Sequence, residues 1–150
     1  MSITVELFSE GNNASSEAYS RGSAHFPVAV TAVFGKDSLD LPFRRRVLDF
    51  FSNLRHGFPP GGIRLTYAWG NDAPTGSMFR PVDEETVFVL AGEDERGKRI
   101  AATRDLAADF RAAYGRDPKG PVTRFIVRAG RPPEEKGPVK AGVRLALPAH

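Results

Sequence analysis

The chain has 150 residues, of which 41% are hydrophobic and 26% are charged, and both fractions are ordinary for one globular domain. It has no cysteine, which excludes disulfides, thiolate nucleophiles and cysteine zinc sites. The net charge of +3 comes from 21 Lys and Arg against 18 Asp and Glu, and this surplus is too small to predict a nucleic-acid-binding surface. No apolar run is long enough to predict a membrane span, and the N-terminal residues lack the pattern of a signal peptide.

Two strands are predicted in the first part of the chain, on either side of a polar segment. The stretch ITVELF alternates loosely between apolar and polar residues and predicts a short strand. Residues 9–25 are small, polar and turn-rich, and they are predicted to be a flexible loop or a disordered segment. The stretch from Val28 to Phe34 is apolar or small on both faces, which predicts a central strand covered on both sides.

Two short amphipathic helices are predicted from apolar residues spaced three and four apart. The first covers residues 41–57. The second covers residues 104–115, where Thr103 or Asp105 can cap the start and Gly115 closes the end. The apolar stripes are Phe43, Val47, Phe50, Phe51 and Leu54 in the first helix, and Leu106, Phe110, Ala113 and Tyr114 in the second.

The rest of the chain predicts further strands. In the stretch IRLTYAWGN, every second residue from Ile63 to Trp69 is apolar or aromatic, which predicts a strand with one face in the core. A long turn-rich loop is predicted over residues 71–85. The remaining predicted strands cover residues 86–93, 122–130 and 139–147, and another element begins at Ile100. Five or six strands and two helices predict a mainly β, antiparallel β-sandwich that forms a single domain over residues 1–150.

Four stretches of the chain resemble a bacterial family known as domain of unknown function 3047. They are TYAWGNDAPTGS, TVFVLAGE, TRDLAADFRAAYGRDP and VTRFIVRAG. In that family a Trp-Gly pair ends a strand, and a short helix starts with Arg-Asp, carries an Asp before an aromatic and closes with aromatic-Gly. The matching positions here are Trp69 with Gly70, Arg104 with Asp105, Asp109 with Phe110, and Tyr114 with Gly115.

The resemblance runs from about Phe26 to Pro148. It implies a jelly-roll or galactose-binding-like sandwich, similar in shape to carbohydrate-binding modules, and it hints at an exported or periplasmic bacterial protein. It implies no known activity. Arg128 and Arg131 stand where the family tends to have acidic residues, so a cation or sugar site built on those acids is not expected here.

The strand end at Trp69 and the loop after it form the candidate ligand site. Sugar-binding sandwiches stack a sugar ring on an aromatic side chain and bind its hydroxyls with Asn, Asp and Arg. The alternative is that Trp69 packs in the core while Asn71 and Asp72 only form the turn. The candidate residues are Trp69, Tyr67, Asn71, Asp72 and Arg80, with Asp109 from the second predicted helix as a further candidate.

The acidic residues have interpretations that compete with a role in a site. Asp109 is either the ion-pair partner of a nearby arginine or a site residue. Asp83, Glu84 and Glu85 are interpreted as solvated loop charges.

Other chemistry finds little support in the sequence. The chain has three histidines, which are His25, His56 and His150. None of them is near a candidate nucleophile in the sequence pattern, and their spacing is not that of metal ligands. The chain has no glycine-rich phosphate-binding motif, and no cofactor or metal site is predicted.

Three functions follow, in this order of preference. The first is a non-catalytic ligand-binding sandwich with carbohydrate as the candidate ligand, which needs Trp69 or Tyr67 to be exposed. The second is a protein-protein interaction or assembly domain that uses an open sheet edge. The third is a hydrolase with two carboxylates about 5–10 Å apart across a cleft.

Overall fold

The computed structural model describes residues 1–9, 26, 28–35, 62–70, 73–129 and 141–147. These residues form eight strands, one α-helix and one short 3-10 helix. In chain order they are β1 (Ser2–Ser9), β2 (Val28–Phe34), β3 (Ile63–Trp69), β4 (Met78–Val82), β5 (Glu85–Ala91), the 3-10 helix (Glu93–Glu95), β6 (Arg99–Asp105), α1 (Leu106–Tyr114), β7 (Arg124–Ala129) and β8 (Ala141–Ala146).

The strands form two sheets that pack together in a sandwich-like arrangement. One sheet has three strands in the order β6-β1-β8, and the other has five strands in the order β4-β5-β3-β2-β7. The predicted mainly β, sandwich-like fold is therefore confirmed for the described residues. The prediction of antiparallel pairing is wrong for one pair, because β3 and β5 are parallel. After β3 the chain forms β4 at the edge of the sheet. It then reverses direction and returns as β5, which lies between β4 and β3 and is therefore antiparallel to β4 and parallel to β3.

The core lies between the two sheets and follows the predicted alternation. In β1, Ile3, Val5 and Leu7 are buried, while the side chains between them are half-buried. Every residue of β2 and β3 is buried, which confirms for β2 the predicted central strand covered on both faces. The core side chains from the five-stranded sheet include Val28, Val30, Ala32, Phe34, Ile63, Leu65, Tyr67, Trp69 and Phe88.

Helix α1 packs against the same core and confirms the second predicted helix. Its start is capped by Asp105, whose carboxylate accepts a hydrogen bond from the backbone N–H of Ala107 at 3.0 Å. Its end is fixed by Gly115, which has a φ of 69°, a left-handed conformation that glycine adopts without strain. Phe110 is fully buried and meets the Phe34 ring edge-on, with 4.7 Å between ring centroids.

Two regions differ from their predictions. Strand β4 lies inside the predicted loop of residues 71–85. The sequence signal for this strand is weak because the strand is short, contains Pro81 and pairs on one side only. Ser9, predicted as the start of the flexible segment, is the buried last residue of β1. The rest of that segment and the predicted helix over residues 41–57 lie outside the described residues.

Candidate ligand-binding site

The two aromatic rings of the predicted site are core side chains. Trp69 is 1% exposed and Tyr67 is 0% exposed, and both belong to the cluster of buried apolar residues between the sheets. The Tyr67 ring stacks on Phe88, with 5.6 Å between ring centroids and 27° between ring planes. Neither ring presents a face to solvent, so the structure does not support stacking of a sugar on Trp69 or Tyr67. It places Trp69 in the core, as in the alternative interpretation of the sequence.

The burial of Trp69 predicts a fluorescence result. Trp69 is the single tryptophan of the chain, so its emission reports this one environment. We expect a blue-shifted emission that acrylamide barely quenches in the folded protein, and a red shift with efficient quenching after unfolding in urea. Red-shifted, readily quenched emission from the folded protein would instead place the indole in water and restore the sugar-stacking hypothesis.

Asp109 is the centre of a buried cluster formed with Arg104 and Tyr67. The Tyr67 hydroxyl donates to Asp109 Oδ2 at 2.7 Å. Arg104 donates from Nε to Oδ2 at 2.9 Å and from Nη2 to Oδ1 at 2.5 Å, and its guanidinium lies over the Phe88 ring at 5.2 Å. Asp109 is 8% exposed. Of the two sequence-based interpretations of Asp109, the structure shows the ion pair.

The electrostatics of this cluster favour its charged, hydrogen-bonded state. Burial raises the pKa of Tyr67 far above its usual value, and the hydrogen bond to Asp109 raises it further. Burial alone would lower the pKa of Arg104, but its hydrogen bonds to Asp109 and the charge of that carboxylate raise it overall. The tyrosine therefore stays a hydroxyl donor and the arginine stays a cation. This arrangement fastens α1 to β3 and β6.

The other predicted site residues do not join this cluster. The Arg80 guanidinium donates from Nη2 to the Ala113 carbonyl near the end of α1, and it lies over the Tyr114 ring at 4.7 Å. Arg80 therefore connects β4 to the helix. Asn71 and Asp72 lie outside the described residues. Within the described part of the chain, the predicted residues form structural contacts rather than one ligand site.

A second buried polar group lies on the opposite face of the five-stranded sheet. The hydroxyls of Thr31 and Thr66 are 2.8 Å apart, and Thr66 donates to Glu85 Oε1 at 2.6 Å. Arg64 Nη2 lies 3.9 Å from Glu85 Oε2. The interpretation of Glu85 as a solvated loop charge is wrong, because Glu85 begins β5 and its carboxylate is held by β3. These bonds connect β2, β3 and β5.

A groove on the exposed face of the three-stranded sheet is a better candidate for a ligand site. Alternation in β1 sends Ile3, Val5 and Leu7 into the core and turns Glu6 and Phe8 to the outer face. The groove has a volume of about 130 Å³. Its lining residues are Glu6, Leu7, Phe8, Arg99, Gly142, Val143 and Arg144.

The strand register explains the shape of this groove. Phe8 is paired with Arg99 on β6 and with Gly142 on β8. The Arg99 guanidinium lies 5.9 Å from the centre of the Phe8 ring, which is half-buried. On the other side Gly142 contributes no side chain, and a Cβ placed there would meet no atom of the described residues within 4 Å apart from those of its chain neighbours. The missing side chain opens the space beside the Phe8 ring.

The charged side chains around the groove are available for a ligand. Glu6 is paired across the strands with Arg144, in the row next to Phe8. Within the part of the chain that the structure describes, the side chains of Glu6, Arg99 and Arg144 form no hydrogen bond and no ion pair. Arg99 and Arg144 are exposed and Glu6 is half-buried. The groove thus combines an aromatic ring with one acceptor and two strong donors.

The sequence contains a signal for this groove that the predictions did not use. The stretch ITVELF places Phe8 on the same strand face as Thr4 and Glu6, so an aromatic residue stands on an otherwise polar face. The contributions of Arg99 and Gly142 depend on strand pairings that join residues far apart in the chain. Local patterns do not report such pairings.

The fold defines the class of this protein as a mainly β domain of two packed sheets with one short α-helix among its described residues. The chain belongs to the domain of unknown function 3047 family, because the model of that family, described as "Protein of unknown function (DUF3047)", matches residues 10–128. Strands β1 and β8, which line the groove, lie outside that match. No curated protein and no solved structure matches the chain.

The described residues contain neither a metal-ligand cluster nor a membrane-spanning helix. No group of three or more His, Asp or Glu side chains in the described ranges is arranged to hold a metal ion. No helix in this part of the chain is long and apolar enough to cross a membrane.

Proposed function

We propose that this domain is a non-catalytic ligand-binding module that takes a carbohydrate ring on the outer face of its three-stranded sheet. The observation that carries this proposal is the half-buried Phe8 ring beside the open space at Gly142. The apolar face of a sugar ring packs on an aromatic ring, while charged side chains at the rim bind the hydroxyls. Glu6, Arg99 and Arg144 supply such groups.

The position of the groove on a sheet supports binding by a rigid surface. Phe8 lies on β1, which is paired on both sides by β6 and β8. Residues on paired strands are held more precisely than residues on loops, so little order is lost when a ligand binds. Carbohydrate therefore remains the proposed ligand, and the aromatic side chain proposed to contact it is Phe8 instead of Trp69.

The acid content of the groove favours binding over hydrolysis. Most glycoside hydrolases use two carboxyl groups that face each other across the scissile bond. Glu6 is the one carboxylate among the described lining residues. Asp109 belongs to the core cluster with Arg104 and Tyr67, so it is not a second acid for this groove.

A second candidate function is assembly through a sheet edge. Strands β7 and β8 end their sheets in the described part of the chain. Val127 on β7 is 52% exposed and Leu147 after β8 is 53% exposed, so apolar side chains accompany these edges. Edges of this kind pair with strands of other chains. Sedimentation that shifts with protein concentration, and that Val127→Lys suppresses, would support this function.

The test of the proposed function is the variant Phe8→Ala. We expect the full chain to bind methyl glycosides or short oligosaccharides in a ligand-observed NMR screen. We expect Phe8→Ala to weaken that binding by about tenfold, which corresponds to about 1.4 kcal/mol, because it removes the aromatic face on which the sugar ring packs. The matched control is Phe79→Ala, which removes a half-buried phenylalanine from β4 in the other sheet. Equal binding by wild type and Phe8→Ala would contradict the proposed site.

A further inference from the structure

The groove carries an excess of positive charge. Arg99 and Arg144 contribute two guanidinium groups, and Glu6 contributes one carboxylate. None of these side chains is neutralised by an ion pair within the described residues. A neutral sugar would not neutralise this excess positive charge, whereas a ligand with one carboxylate would neutralise it.

The two arginines lie on the two strands that flank Phe8. Arg99 is on β6 and directly pairs with Phe8. Arg144 is on β8, two residues from Gly142 on the same face of the strand. Phe8 and Arg144 are diagonal neighbours across β1 and β8, and such neighbours lie roughly 7–8 Å apart, so the long Arg144 side chain can reach the space beside the Phe8 ring. A ring seated beside Phe8 over Gly142 would therefore have Arg144 next to it along β8 and Arg99 next to it across the Phe8 ring.

We infer that the ligand of this groove is an acidic sugar, whose ring packs on Phe8 and whose carboxylate is bound by Arg99 or Arg144; this inference rests on the proposed function. The guanidinium plane carries parallel N–H donors that match the two oxygens of a carboxylate. Glu6 has only acceptor oxygens and binds ring hydroxyls instead. The open position at Gly142 admits the ring.

The test compares two probes that differ at one carbon. Methyl β-D-glucuronide has a carboxylate where methyl β-D-glucoside has a hydroxymethyl group, and the rings are otherwise the same. We expect NMR titrations of the full chain at low salt to show tighter binding of the glucuronide by about tenfold or more, because hydrogen bonds between charged groups are about twice as strong as neutral ones. Acetate serves as a probe for the charge without the ring, and it should bind more weakly than the glucuronide.

The arginine variants test whether the groove is responsible for the tighter binding of the glucuronide than of the glucoside. Arg99→Gln and Arg144→Gln should each reduce the ratio of glucuronide affinity to glucoside affinity, and the double variant should bring this ratio close to one. Both sugars lose the same hydroxyl contacts in these variants, so the ratio reports the carboxylate contact. The matched control Arg124→Gln removes the same charge from β7 in the other sheet and should leave the preference unchanged. High salt should also reduce the preference, since exposed charges are screened.

The possible failures separate the two proposals. Equal binding of both probes, or a preference that persists in the double arginine variant, would overturn the acidic-sugar inference and leave the proposed function in place. Binding of acetate as tight as that of the glucuronide would overturn it as well, because the ring would then contribute nothing. Binding of neither sugar, in this pair and in the matching galactose pair, would overturn the proposed function itself.

Discussion

Replacing Asp109 with alanine is expected to lower the free energy of unfolding by about 3 kcal/mol, because it removes the centre of a buried polar cluster. The Tyr67 hydroxyl and the Arg104 guanidinium both donate to this carboxylate. Without it, a fully buried hydroxyl loses its acceptor and a partly buried cation loses its counter-ion. Arg104 can still reach water, because 30% of its side chain is exposed, so the value lies at the lower end for broken buried pairs.

Urea unfolding followed by Trp69 fluorescence would measure this change. Asp109→Asn keeps an acceptor for Tyr67 but loses the charge that faces Arg104, so its effect should be smaller than that of alanine. The matched control is Asp117→Ala, which breaks the ion pair of Asp117 with Arg111 at 2.7 Å on the exposed side of the helix. That variant should be nearly as stable as wild type, because exposed ion pairs contribute little.

The stability of Asp109→Ala, compared with that of Asp117→Ala, also tests the role of Asp109. A fully stable Asp109→Ala protein would mean that the cluster is not a structural fastening for α1. In that case a role of Asp109 in a ligand site, the alternative interpretation of the sequence, would regain support. If the variant is destabilised but still binds sugar when folded, Asp109 acts only through the fold.

The sequence predicts the elements whose signals are local. Strands β1 and β3 follow from apolar residues at every second position, and β2 follows from a run that is apolar or small on both faces. Helix α1 follows from the change to helical spacing, with Asp105 before it and Gly115 after it. In each of these cases, neighbouring residues in the chain are sufficient to define the element and its buried face.

The features that escaped prediction depend on residues far apart in the chain. The parallel pair of β3 and β5 requires β4 to occupy the sheet edge first, which no local pattern in either strand indicates. The groove requires Phe8, Arg99 and Gly142 to lie side by side, although they come from three separate strands. The burial of Trp69, in contrast, follows from a local pattern, because the alternation of β3 places it on the core face.

Replacing Trp69 with alanine is expected to destabilise the fold by about 3–5 kcal/mol, the usual cost of deleting a large aromatic side chain from a core. Trp69 is among the largest fully buried side chains and packs with Tyr67 and other core residues. The cost combines lost burial with the cavity that remains. Because many domains are stable by only about 5–15 kcal/mol, such a loss is a large fraction of the total. Circular dichroism in urea provides the measurement, since the variant has no tryptophan.

Substitution of Trp69 should therefore lower stability, whereas substitution of Phe8 should lower sugar affinity. This contrast distinguishes a core residue from a ligand-site residue. Trp69→Phe keeps a ring in the core and should remain folded, with reduced stability and unchanged sugar affinity. Phe8→Ala should change sugar affinity with little loss of stability, because the Phe8 ring is only half-buried on the outer face of β1. If Trp69→Phe weakened sugar binding while Phe8→Ala did not, the ligand site would lie at the end of β3 rather than on the three-stranded sheet.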